Sequence, residues 1–245
     1  MITGKFLTRL IMCALLVTGN VQAQDAAIPE TLIDQLETMA ESENAEAMYH
    51  LGMLYNNGVG VPRSPSKALA YFRQAAEKGD ALGQYKLGCY LVGQFGQIDG
   101  LQLNKDEGIE YKQAAAEAGY ALAQYDVAGF HFQQKRWDSA LEWLTRAAKQ
   151  AYRPALVALA GIYSDKGTPV YDPVSAWQYF LLMPESTGSE WLQARRSAVE
   201  GALSAEQKQK AAEQKSSMQF DRTALTKRAQ AGLDRAKALV MQQGD

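Results

Sequence analysis

The sequence predicts an all-α protein assembled as a stack of helical hairpins. Three observations predict it. Leu51-Gly52-x-x-Tyr55 followed by Ala68-x-x-x-Phe72 has the spacing of a two-helix unit that packs on copies of itself. The opening of that unit recurs as Ala81-Leu-Gly-Gln-Tyr85-Lys-Leu87-Gly88 and again as Ala121-Leu-Ala-Gln-Tyr125-Asp-Val127-Ala128. With only 7 prolines and few β-branched runs, the chain has little that favours a sheet.

The N-terminus is read first as a targeting segment. Lys5 and Arg9 give a positive start, Leu10 to Val17 a short apolar core, and Val21-Gln22-Ala23 a small-x-small cleavage site. Residues 1–23 are therefore expected to be a secretory signal peptide, cut between Ala23 and Gln24. The apolar run is too short for a permanent membrane span, so no stable membrane insertion is expected after cleavage. Residues 24–44 form a leader and a capping helix. In the latter, Pro29 suits the first turn, and Leu32, Ile33, Leu36, Met39 and Ala40 make the apolar face.

The first repeat is expected at 45–80. Ala47, Leu51 and Tyr55, with Met48 beside them, share one face of its first helix. Ala68, Tyr71, Phe72, Ala75 and Ala76 form the matching stripe of its second helix, from about Ser66 to Lys78. Ser64 or Ser66 can cap that helix, and Gly79 can end it in a left-handed conformation. Gly52 lies inside a helix, where it costs about 1 kcal/mol relative to alanine. Its expected return is close approach of a neighbouring backbone. Asn57-Gly58-Val59-Gly60-Val61-Pro62 cannot continue a helix and links the two.

The second repeat is expected at 81–120, with a longer loop carrying Gly93, Gly96 and Gly100. The third, at 121–152, joins its helices through Gln133 to Trp137 without glycine. Ala151 stands there where glycine ended the earlier units. The fourth, at 153–182, has Ala155, Leu159-Ala160 and Tyr163 on its first helix, a loop from Gly167 to Pro173, and Ala176, Tyr179 and Phe180 on its second. Residues 183–245 form a helical C-terminal extension. Trp191, Leu192 and Val199 suit packing on the last repeat, and Ser204-Ala-Glu-Gln207 resembles a capping box. Phe220 to Gln242 carries Leu225, Ala229, Leu233, Ala236 and Leu239 or Val240 on one face. That stripe could pack back on the domain, pair with another chain or stay exposed.

The unit with its longer glycine-containing loop resembles a Sel1-like repeat, a relative of the tetratricopeptide repeat. The residues that carry the resemblance are Ala47, Leu51-Gly52, Tyr55, Gly58-x-Gly60-Val61, Lys67-Ala68, Tyr71-Phe72, Ala75-Ala76 and Gly79. It implies an α-solenoid, a right-handed superhelix of about four hairpins over 45–182. It also implies a scaffold or adaptor that binds a protein or peptide; together with the expected signal peptide, the expectation is an exported protein of a bacterial cell envelope, periplasmic. Secretion toward a host protein and a cell-wall hydrolase are the alternatives. Some Sel1-like proteins with paired cysteines are linked to β-lactam binding. Here Cys89 is the one cysteine outside the leader, which puts that activity in doubt and leaves Cys89 a packing residue.

Chemistry is otherwise sparse. The two histidines, His50 and His131, lie two repeats apart, too far by spacing to share a metal with Cys89. No phosphate-binding loop, GxSxG or HExxH occurs. No catalytic residue, cofactor or metal is expected. The formal charge is −2, the repeats are net acidic and the tail net basic, so nucleic acid is not the expected partner. The candidate binding residues are Tyr49, Tyr85 and Tyr125, at equivalent places on the first helices, with Met53, Asn56 and Phe132 on the same concave face. The alternative for the tyrosines is that they fill space between helices.

Overall fold

A computed structural model describes residues 30–96, 98, 100–184 and 188–242, which leaves the expected signal peptide outside the described residues. The described residues form twelve helices and no strand, an all-α repeat fold. They divide into two compact units, one of residues 30–123 with 223–242, the other of residues 124–222.

The first unit opens with α1 (Glu30–Glu41). Its Leu32, Ile33, Leu36 and Met39 are buried against Ala47, Leu51 and Leu54 of α2 (Ala45–Asn57). Asn44 caps α2 by accepting from the Ala47 amide at 2.9 Å. After the loop, Ser64 caps α3 (Pro65–Glu77), with Pro65 in the first turn where a missing N–H costs nothing. The α2–α3 joint holds Ala68, Phe72, Ala75 and Ala76 out of water, and Tyr55 stacks on Tyr71 with ring centroids 5.7 Å apart. Gly52 does not admit a neighbouring backbone. A Cβ there would lie 2.6 Å from the Phe72 ring, so the small residue makes room for a large side chain.

Gly79 takes φ 82° at the end of α3, and Asp80 then caps α4 (Ala81–Leu91) by accepting from the Gly83 amide at 2.7 Å. Here glycine does allow backbone contact. A Cβ on Gly88 would stand 2.6 Å from the Gly108 carbonyl oxygen of α5 (Lys105–Glu117). Cys89 is buried. The unit closes with α12 (Ala224–Met241), which packs on α1, α2 and α4.

The second unit holds the remaining elements, except that residues 121–123, the first turn of the next helix, belong to the first unit. Hairpins α6 (Ala121–Gln133) with α7 (Trp137–Lys149) and α8 (Arg153–Tyr163) with α9 (Pro173–Leu181) are followed by α10 (Glu190–Ala202) and α11 (Ala205–Ser217). The α6–α7 turn lacks glycine, and Lys135 takes φ 59° instead. Ala151 takes φ 57° where the earlier repeats have glycine. The fourth loop ends one residue earlier than its sequence suggests. Asp172 is the cap and Pro173 the first helical residue, because the Asp172 carboxylate accepts from the Val174 amide at 3.0 Å. Tyr163 stacks on Tyr179 at 6.0 Å, the same pairing as Tyr55 on Tyr71. Trp191 lies over Gly161, Leu192 and Val199 are buried, and Ser204 with Gln207 makes both bonds of a capping box. The C-terminal segment is thus shared between the units, α10 and α11 in one and α12 in the other.

Candidate interaction face of the first helices

In the first unit, α2 and α4 are the first helices of successive repeats, and α12 lies against both. Two acidic residues hold it. Glu46 sits in the first turn of α2, where a carboxylate also suits the helix dipole. Its two oxygens accept from Arg235 Nε at 2.8 Å and Nη2 at 2.9 Å, a paired geometry that only guanidinium offers. Asp80, 7% exposed, accepts from Arg228 Nη2 at 2.5 Å while its other oxygen caps α4. Arg228 also lies over the Tyr49 ring at 5.7 Å and within 3.7 Å of Glu46.

Glu46 shows the electrostatics of this face. Burial raises its pKa, but the His50 imidazole and the Arg235 and Arg228 guanidiniums outweigh burial and hold it at about 2. Tyr49 moves the other way, pushed up to about 12 by burial and by the nearby Asp80 carboxylate. His50 is buried, its Nε2 3.6 Å from a Glu46 oxygen and with no closer polar partner among the described residues. The N-terminus of α12 is fastened by hydroxyls. Thr223 donates to the Gly119 carbonyl at 2.8 Å, and Thr226 accepts from the Ala121 amide at 3.0 Å.

One defect marks this contact. Gly232 has φ 51° and ψ −120°, which interrupts α12. Beside the kink lies a cavity of about 160 Å³ lined by Tyr49, His50, Met53, Leu54, Gly232 and Leu233 among others.

The sequence-predicted residues fall in different settings. Tyr49, Tyr85 and Tyr125 are each 5% exposed. Tyr85 meets Tyr120 edge-on at 5.0 Å and Tyr125 meets Tyr152 at 5.6 Å, each pairing with the tyrosine just before the next repeat. These rings fill joints between helices, and Tyr49 lies beneath α12. Met53 lines the cavity. Asn56 is half-buried and accepts from the Tyr90 hydroxyl at 2.7 Å. Phe132 is buried edge-on to Trp137 at 5.4 Å. The structure therefore gathers Tyr49 and Met53 at one place, while Tyr125 and Phe132 belong to the other unit.

Sequence reasoning did not mark Glu46, Asp80, Arg228 and Arg235. The available signal was the arginine pair seven residues apart, two helical turns, on the apolar stripe of α12. It also passed over Lys112, which is 1% exposed and donates to Gln94 at 2.9 Å. Among the described residues, no three His, Cys, Asp or Glu side chains come close enough to hold a metal ion. No helix of the described residues is long and apolar enough to cross a membrane.

The Sel1 repeat family model matches residues 45–80, 81–120 and 121–152. Residues 45–152 are Sel1 repeats. The Sel1 repeat protein of Oxalobacter formigenes has a similar fold, with a TM-score of 0.52 and 23% identity over 61% of this chain and 62% of that one. Two curated relatives come from Schizosaccharomyces pombe. Chitin synthase regulatory factor 3 is 28% identical over 67% of this chain and 18% of its own length, and factor 4 is 27% identical over 56% and 21%. The chain spans about a fifth of the length of these relatives. Sel1 repeats generally mediate protein–protein contact, and their protein partners are the class expected here.

Proposed function

We propose that this Sel1-repeat chain is an exported interaction scaffold of the bacterial cell envelope, working in the periplasm. It docks a protein or peptide segment on the face of its first helices. One observation carries the reading: that face already receives a helix, α12, through the Glu46–Arg235 and Asp80–Arg228 pairs. A surface that desolvates an amphipathic helix and neutralises its arginines has the chemistry of helix-in-groove recognition. The reading assigns no catalysis to the chain. The N-terminal pattern of Lys5, Arg9 and Val21-Gln22-Ala23 supports export.

Photo-crosslinking in cells tests the docking face. A photoreactive residue at Asn57, beside the cavity, is expected to give a discrete protein adduct, while one at the exposed Arg73 of α3 gives none. Adducts from Arg73 alone would overturn the assignment of the face. Export is tested separately by fractionation and N-terminal sequencing. A chain starting at Gln24 in the periplasmic fraction is expected. Recovery in the culture medium would favour the secreted alternative, and an uncut chain in the cytoplasm would remove export.

A further inference from the structure

The contact between α12 and the first-helix face is well paired in charge and poorly filled in volume. Arg228, Gly232 and Arg235 fall at i, i+4 and i+7, one stripe of a regular helix. The two arginines meet Asp80 and Glu46. Between them, α12 contributes Ala229, Gly232 and Leu233 to the wall of the cavity, and the helix breaks at the glycine. A Cβ on Gly232 would meet nothing within 4 Å. The cavity beside it has a volume of about 160 Å³, on the scale of one benzene-sized group. The walls include Met53, Leu54, Val59 and Leu233, so the space is mainly apolar.

We propose that α12 is an exchangeable occupant of this face. The partner segment that replaces it is an uninterrupted amphipathic helix with two arginines seven residues apart. Midway between them it carries a leucine-sized or aromatic side chain. The arginines supply register and the central side chain fills the cavity that α12 leaves. Glycine at the central position keeps the resident helix a weaker ligand than the segment that displaces it. Tethering compensates, since a linked segment competes at a high effective concentration. The inference rests on the reading of the first-helix face as a docking surface, and it names the class of partner.

Two fluorescent peptides of residues 223–242 serve as probes, one natural and one with Gly232→Leu. Anisotropy is measured against the full chain and against its Arg228→Ala, Arg235→Ala double variant. Loosening the tethered helix is expected to tighten probe binding about tenfold or more. The Gly232→Leu peptide is expected to bind about tenfold or more tighter than the natural one, because it fills a cavity. Glu46→Lys in the receiving chain should abolish both. Equal affinity of the two peptides, or no binding to a double variant that still melts cooperatively, overturns the proposal. Hydrogen exchange on the unaltered chain is a second readout that needs no variant. Saturating Gly232→Leu peptide should strip amide protection from residues 224–241, and protection that persists overturns exchange. Dimers of the full chain, with no gain from the Gly232→Leu peptide, would mean that a second copy is the occupant and would also overturn it. If the peptides fail while Asn57 still crosslinks a partner, the docking face stands and the exchange falls.

Discussion

Replacing Glu46 with glutamine tests how α12 is held. The side chain keeps its shape and loses its charge, so Arg235 loses the carboxylate that accepts its two bonds. The pKa of Glu46 falls from 4.5 to about 2 in the folded chain, despite burial that acts in the opposite direction. At about 1.4 kcal/mol per pH unit, that corresponds to roughly 3 kcal/mol. Solvent reaches part of the pair, so screening reduces the expected effect to about 1–2 kcal/mol. The sign follows from linkage. A carboxyl whose pKa is depressed by folding stabilises the fold fully above its unfolded value of 4.5 and loses that contribution as pH falls toward 2. Urea unfolding followed by far-UV circular dichroism, at pH 7 and near pH 2, measures both ends. Glu46→Gln should be less stable by about 1–2 kcal/mol at pH 7, and the gap should close near pH 2. A gap that persists at low pH, or no gap at pH 7, would refute the electrostatic account of the α12 contact.

Other expectations follow from local geometry. Ala151→Gly relieves a positive φ of 57° and should stabilise by about 1 kcal/mol, seen as a rise in Tm of about 2–4 °C. Gly52→Ala gains helix propensity but drives a Cβ into the buried Phe72 ring, so a net loss of about 1–2 kcal/mol in urea unfolding is expected. Gly88→Ala should cost more, since the atom it meets is a backbone oxygen that cannot rotate away. Ser204→Ala removes one bond of the capping box, and hydrogen exchange at the start of α11 should accelerate by an amount equal to about 1 kcal/mol.

The repeat hairpins were legible because their signal is local and periodic. Ala47, Leu51 and Tyr55 on one helix, and Ala68, Phe72 and Ala75 on the next, declare which sides must be hidden. Caps at Ser64 and Ser204 and the positive φ at Gly79 follow from a few neighbouring residues, so they can be read from short stretches. The recurring tyrosines were equally visible, but recurrence does not separate a joint filler from an exposed anchor. Tyr85 and Tyr125 are fillers because Tyr120 and Tyr152 close over them, and that closure depends on how one hairpin leans on the next.

By itself the sequence determined the class of fold, the Sel1 repeats of 45–152, the order of the hairpins and the amphipathic stripe of the last helix. It left open where that stripe would go. Only the tertiary structure decided that Arg228 and Arg235 would meet Asp80 and Glu46, partners 148 and 189 residues away in the chain. It alone decided that the break at Gly232 would leave a cavity beside Met53. The physical reason is range. Helix periodicity and capping are set within a few residues, whereas ion pairing and cavity volume arise where separate helices converge, and no short stretch records that meeting.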